Sequence, residues 1–283
     1  MTALASSPLR HPDLIAIEKL ERATFLEIFD SVPPHYQAKR EAKFSDRGST
    51  ALFAMRGLPG FEFNKVLGLG VEEPASEDQL DAAIDWLRTY CHPQASLQIA
   101  AGAGPSALPR WIAERGLKPH GDGWAIFRRG TAELPDETAA TTLTVREVYK
   151  PDADLFGEIV QTAFGLPADF ATMPSAIVGR AAIRAYIAYN DKRPVAAAVL
   201  CIKDGWGWLG FGGTLTGFRR RGAQTALLRR RLADGIAMGL RGFVVETGNP
   251  APGTERSHSS YGNIRRAGFE LAYLRTNYRL PAP

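Results

Sequence analysis

Cysteine is nearly absent from this chain: Cys91 and Cys201 are the only two in 283 residues. Two thiols so far apart in sequence exclude a disulfide scaffold and a metal-clamping pair, so no metal is expected. They suit a reducing compartment, and the cytoplasm is the expected location. Long apolar runs are lacking too. No stretch of about 18 apolar residues occurs, and the opening MTALASSPLRHPDL carries no sustained apolar segment, so neither a membrane span nor export is indicated. A large excess of one charge is also missing. The formal net charge of +4 is too small for a dedicated nucleic-acid binder, which argues against nucleic acid as a partner.

Apolar residues make up 45% of the chain, enough for a sizeable core, and the length suits two domains of about 140 residues. The stretch 131–142, TAELPDETAATT, is polar and small with no hydrophobic period, and reads as a linker between a domain at 1–130 and another at 143–283. Similar elements recur in the same order on either side of it. VLGLGVEE, LQIAAG and PSALPRWIAERGLKP in the first half match WLGFGGTL, FVVETG and SSYGNIRRAGFEL in the second. Setting Gly116 on Gly268 brings Ile112 onto Ile264, and setting Gly102 on Gly248 brings Ala100 onto Glu246.

In the second half Leu155, Phe156, Ile159, Val160 and Ala163 recur at helical spacing. Three strand-like runs follow, at 185–189, 194–202 and 206–213, joined by the turn-rich NDKR and DG; they predict an antiparallel meander. Beyond it Leu228, Leu232, Ile236 and Leu240 form one stripe of a helix, then come FVVET, a further helix and FELAYLR. The pattern predicts an α/β fold with a mixed sheet.

FRRRGAQ, at 218–224, lies between the last meander strand and that helix. A helix start presents unpaired N–H groups and a dipole that favour an anion, and phosphate suits it. Gly222 permits close approach, while Arg219, Arg220 and Arg221 add cationic donors. Arg229, Arg230 and Arg231 are read instead as a solvated face. In the first half the matching turn runs EEPASEDQ. Glu72, Glu73, Glu77 and Asp78 would repel a phosphate there, and Ser76 with Gln79 makes a capping box that consumes the helix-start N–H groups.

FRRRGAQTALL, between a strand and a helix, resembles the acetyl-CoA pyrophosphate loop of the GNAT superfamily of N-acetyltransferases, and NIRRAGFELAYLR resembles that family's final helix and strand. Arg219 and Gly222 fit the loop's fixed places, whereas Gln224 departs at the third and would crowd the turn unless it points outward. The whole chain thus resembles a tandem GNAT protein with a degenerate first half. That implies two mixed, mostly antiparallel sheets flanked by helices, and acetyl-CoA as cosubstrate. By the resemblance, the main chain of Arg220, Arg221, Gly222, Ala223, Gln224 and Thr225 would hold the pyrophosphate and Thr214 and Leu215 the pantetheine arm. Ser260 and Asn263 would bind the arm or simply start the last helix.

Acetyl transfer to an amine needs a base and an acid. Glu246, in the otherwise apolar FVVET, is the candidate base, or else a strand-end carboxylate paired with an arginine; His258 is a further candidate. Many GNAT enzymes protonate the leaving thiolate with a tyrosine four residues before the last helix's glycine. Ile264 stands there in this chain, with Tyr261 one turn earlier as the candidate acid, or as ordinary packing. Cys201, Trp206 and Trp208 read as core. Tyr186, Phe170 and Trp124 are candidate walls of the acceptor pocket. The expected activity is N-acetylation of a small-molecule amine by a monomer or homodimer. A catalytically silent CoA-binding or sensing protein is the alternative.

Overall fold

The computed structural model describes residues 11–132, 142–255 and 257–281. The first half runs α1 (His11–Ser31), α2 (Pro34–Arg40), β1 (Ala42–Arg47), β2 (Thr50–Met55), β3 (Lys65–Leu67), α3 (Glu77–Tyr90), β4 (Ser96–Ala100), α4 (Leu108–Glu114), β5 (Lys118–Pro119) and β6 (Trp124–Arg129). The second runs β7 (Thr144–Val148), α5 (Ala153–Phe164), α6 (Thr172–Ile177), β8 (Ile183–Asn190), β9 (Arg193–Lys203), β10 (Trp206–Thr214), α7 (Ala223–Ala237), β11 (Gly242–Gly248), α8 (Ser259–Arg266) and β12 (Glu270–Arg279). Most of the expected linker, 133–141, lies outside the described residues. No helix among the described residues is long and apolar enough to cross a membrane.

The mixed, mostly antiparallel architecture is as expected, with helices on both faces. β8, β9 and β10 form the antiparallel meander, and β3 with β4 and β10 with β11 are the parallel pairs, each joined through a helix. The two sheets, however, are one. Strand order is β1-β2-β3-β4-β12-β6-β11-β10-β9-β8-β7, so the last strand of each half completes the sheet of the other: β6 pairs with β11, and β12 with β4. β12 and β6 also pair with each other at the centre. The matched helices α4 and α8 both end on a left-handed glycine, Gly116 at φ 77° and Gly268 at φ 82°, and both bury the aligned isoleucine.

One face of the sheet is covered by α1, α5 and α6, and the other by α3, α4, α7 and α8. α1, which the sequence reading does not pick out, places Leu14, Ile17, Phe25 and Ile28 against the sheet and contacts strands of both halves. Arg180 pairs with Glu27 and Asp30 of α1, and Arg40 with Asp169, adding further bridges between the halves. With strands exchanged and α1 shared, neither half can bury its own face. Residues 1–132 and 142–283 expressed separately should each aggregate or fail to show a cooperative unfolding transition, and together should co-purify as a one-to-one complex. A monomeric, cooperatively folded isolated half, seen by calorimetry and sedimentation, would contradict the exchange.

Candidate active site

β10 and β11 run side by side only at Trp206, Gly207 and Trp208 and then part. The separation is built into β10. Its register against β9 slips between Gly210 and Gly213, and Phe211 takes a left-handed φ of 49°, a bulge that turns the strand and re-aims its side chains. Trp208 folds back over Gly210, where a Cβ would stand 1.8 Å from the indole ring, so glycine is needed at that position. The opening leads into a cavity of about 340 Å³ that reaches α1, the loop before β3 and β6. Glu246, Thr247 and Gly248 of β11 form one side, and Ser260 and Ile264 of α8 close it.

At the outer end of the parting strands lies the arginine-rich turn. Gly222 is the N-cap of α7 at φ 81°, with no side-chain cap among the described residues, and Arg220 is left-handed at φ 62°. The matching helix α3 is closed in the way the sequence predicts: Gln79 N–H donates to Ser76 Oγ at 3.1 Å, and Ser76 N–H donates to Gln79 Oε1 at 2.9 Å. One helix start is thus open to an anion and the other is filled by its own side chains.

Solved structures with this architecture span nearly the whole chain. A GCN5-related N-acetyltransferase from Kribbella flavida superposes with a TM-score of 0.61 at 16% identity, covering 95% of this chain and 96% of that one. One from Sphaerobacter thermophilus gives 0.58 at 18%, covering 98% and 96%. A tandem GNAT protein of the clavulanic acid biosynthesis pathway gives 0.59 at 12%, covering 96% and 95%. The fold is that of the tandem GNAT proteins. No family sequence model matches the chain, and a search of curated proteins finds no sequence relative.

Within this tandem GNAT fold the expected loop residues take distinct positions. Arg219 donates to the carbonyls of Thr214 and Ala163, each at 3.3 Å, so it latches the turn to β10 and α5. Arg220 and Arg221 are exposed, Arg221 lying over the Phe218 ring at 5.3 Å. Gln224 points inward rather than outward: its Nε2 donates to Gly212 O at 3.1 Å and it lines the cavity, leaving the turn uncrowded. Ala223 is buried and Thr225 half-buried in the first turn of α7. The main chain of Thr214 and Leu215 is already engaged. Leu215 N–H donates to Val195 O, Leu215 O accepts from Phe218 N–H, and Thr214 O accepts from Arg219. The edge of β10 that faces the gap belongs instead to residues 209–213.

Several sequence expectations change. Arg231 is not on a solvated face: it is 2% exposed and donates to Leu227 O and Val199 O, because it sits three and four residues after Leu228 and Leu227 on the same side of α7. Arg230 pairs with Asp234. Tyr186 is no wall residue; it is buried on the opposite sheet face with its hydroxyl on Asp234. Phe170 and Trp124 do line the cavity, and so does Trp208. Tyr261 lies off the wall, edge-on to Phe127 with ring centroids 5.0 Å apart, while Ser260 and Ile264 of the same helix face the cavity. Asn263 accepts a hydrogen bond from Arg266. His258 caps α8, its Nδ1 accepting from Tyr261 N–H.

Glu246 belongs to a buried charge cluster that local sequence patterns do not reveal. Arg275 of β12, fully buried, donates to Glu18 at 2.6 Å, to Glu21 at 2.8 and 2.9 Å, and to Glu246 at 3.3 Å. Lys65 stands 3.5 Å from Glu21, and the Tyr273 hydroxyl donates to Glu18. Three carboxylates thus share two cations. Glu21, held by Arg275 and Lys65 against the cost of its burial, lies below the usual carboxylate range. Glu246 has the longest contact to Arg275. Burial, and then the negative charge of Glu21, push its carboxyl up to about 7, while Lys65 and Arg275 oppose the rise.

Glu246 thus sits on the cavity wall and beside an arginine at once, so the two sequence readings of it are not exclusive. Removing Arg275 as Arg275→Ala leaves these carboxylates without their principal cation, and should cost about 3–5 kcal/mol of stability in chemical denaturation. A loss within experimental error of zero would show that the cluster does not hold the centre together.

Proposed function

We propose that this chain is an acetyl-CoA dependent N-acetyltransferase acting on a small primary amine, with acetyl-CoA carried by the second half. The observation that carries the reading is the continuity of three features: the open start of α7 at Gly222, the gap between β10 and β11, and a cavity with Glu246 on its wall. An anion at the first, an extended arm along the second and a reacting amine in the third is the order that acetyl-CoA and an acceptor require. The units are 1–130 and 143–283, with 131–142 linking them. The closed, acidic start of α3 leaves the first unit without acetyl-CoA. We place the reaction in the cytoplasm, in a monomer or homodimer, with neither nucleic acid nor membrane as partner.

The pyrophosphate lies on the amides of 220–225, with Arg220 and Arg221 adding charge, and Arg219 shapes the turn. The arm runs along the gap-facing edge of β10 at residues 211–213, where Gly212 O also holds Gln224, since both main-chain groups of Leu215 and the carbonyl of Thr214 are engaged. The amine gives up a proton to Glu246, directly or through a water, and its lone pair attacks the thioester carbonyl carbon. The C–N bond forms and the C–S bond breaks; the nitrogen gives up its second proton and the leaving thiolate takes one up through water, with Tyr261, packed on Phe127, off the cavity wall. A carboxyl titrating near 7 is suited to accept a proton at neutral pH.

Ile264 on the wall, where GNAT enzymes often use a phenol, favours a second reading: a silent acetyl-CoA binder. Thiol release with a panel of amines separates the two, since binding without turnover supports the silent protein. Gly222→Asp puts a carboxylate and a Cβ into the left-handed turn, and should weaken acetyl-CoA binding at least about tenfold in calorimetry. Undiminished binding would reject the loop. Glu246→Gln should lower turnover about a hundredfold or more with acetyl-CoA affinity nearly unchanged.

The pH dependence has a definite sign. Glu246 must be ionised to act, so kcat/KM should rise with pH about a midpoint near 7, and that limb should vanish in Glu246→Gln. Glu21→Gln removes the like charge that helps hold the carboxyl up, and should move the midpoint to lower pH. A midpoint that both variants leave unmoved would assign the limb to another group.

A further inference from the structure

The end of the cavity away from the α7 turn has a composition of its own. Phe25 of α1, Phe63 before β3, Trp124 of β6, Trp208 of β10 and Phe170 just after α5 line it. Phe63 and Phe170 pack at a tilt of 54° with ring centroids 5.2 Å apart, and Phe25 meets Trp208 edge-on at 5.8 Å. Phe164, 51% exposed, also lines the cavity, but beside Gly213 and the α7 turn. The charges are as selective as the rings. Glu246 lies on the wall, and Glu62, exposed and without an ion-pair partner among the described residues, stands at the rim.

The cation on the cavity lining is Arg231, which comes from α7 and whose guanidinium is held by the carbonyls of Leu227 and Val199. Lys65 lies against the Phe25 ring, 3.4 Å from its centroid, and pairs with Glu21. No free cation faces the aromatic end among the described residues.

Resting on the acetyltransferase reading above, we propose that the acceptor is an amine with an aromatic or bulky apolar body and no carboxylate. The rings take the body, removing its surface from water, and Glu246 takes the amine. A polyamine could set its second ammonium against Glu62 but brings no apolar body to the rings, and the carboxylate of a free amino acid would face Glu246 and Glu62. Specificity is therefore set largely by the first half, which contributes Phe25, Glu62, Phe63 and Trp124.

The test is a comparison of kcat/KM, by thiol release from acetyl-CoA, for 2-phenylethylamine, ethylamine, phenylalanine and spermidine, with acetyl-CoA binding measured separately by calorimetry. Phenylethylamine should exceed ethylamine and spermidine, which bring no ring, by at least about thirtyfold, the worth of burying a phenyl ring, and should exceed phenylalanine by more. Phe63→Ala should shrink the phenylethylamine-to-ethylamine ratio severalfold. Should that variant unfold, Trp124→Ala, at a half-buried position of β6, carries the same comparison. Ethylamine, spermidine or phenylalanine used as well as phenylethylamine overturns the acceptor class and leaves the acetyltransferase reading standing. So does a ratio unmoved in a folded variant. Acetyl-CoA bound with none of the four amines acetylated also overturns the class, while failure to bind acetyl-CoA removes the underlying reading itself.

Discussion

β12 leaves α8 and runs antiparallel to β4 of the other half, while β6 takes the place beside β11 that β12 would hold in a self-contained unit. This exchange brings Arg275 within reach of Glu246. The two residues belong to strands separated by β6, with Glu246 opposite Ile126 and Tyr273 opposite the same Ile126, so Arg275, two residues on, shares their face of the sheet. Without the crossing, Arg275 would sit in another register and the two α1 carboxylates would be left with Lys65 of β3, 3.5 Å from Glu21, in place of the guanidinium that bonds them both. The strand order and the buried charges are thus one constraint seen at two scales.

A buried ion cluster is weak support for stability in itself, since desolvation offsets much of what the pairing returns. Here its arrangement is unequal in a useful way. Glu21 and Glu18 take the short contacts to Arg275, whereas Glu246 makes one longer contact and keeps a side chain 15% exposed to the cavity. The cations satisfy the inner carboxylates first. The remaining carboxylate is left close to neutrality between its two protonation states, on the side where a substrate would stand. A residue of the first half, Glu21, is thereby an electrostatic determinant of a group on the second.

What could be read in the sequence was local. The meander was legible because NDKR and DG are turn-rich connections between strand-like runs, and the capping box of α3 because Ser76 and Gln79 lie three apart. The fold class followed from the order of such segments. The exchange was not legible: β6 and β12 have the same alternation whichever neighbour they pair with, so one sheet and two sheets predict the same pattern. α1 carried a signal that was missed, with apolar residues at 14, 17, 25 and 28 marking one face, and Glu18 and Glu21 falling on that face as charges in an apolar stripe. Arg231 is hidden for a related reason: it lies off the stripe of Leu228, Leu232, Ile236 and Leu240, yet helical spacing puts it beside Leu227 and Leu228 on the buried side.

The two halves differ most at the two places where they would otherwise be equivalent. Ser76 and Gln79 fill the helix start that Gly222 leaves open, and Ala100 stands where the other half has Glu246. In the sheet Ala100 is paired directly with Arg275, so a carboxylate there would compete with Glu18 and Glu21 for the same guanidinium in a fully buried position. A second set of charges would need its own cation, or would stay protonated. The shared centre therefore has room for one titrating carboxylate rather than two. On the proposed reading this is the physical reason for a division of labour: one half holds the anion and the base, and the other supplies the counter-charges that tune the base and the aromatic wall that faces it.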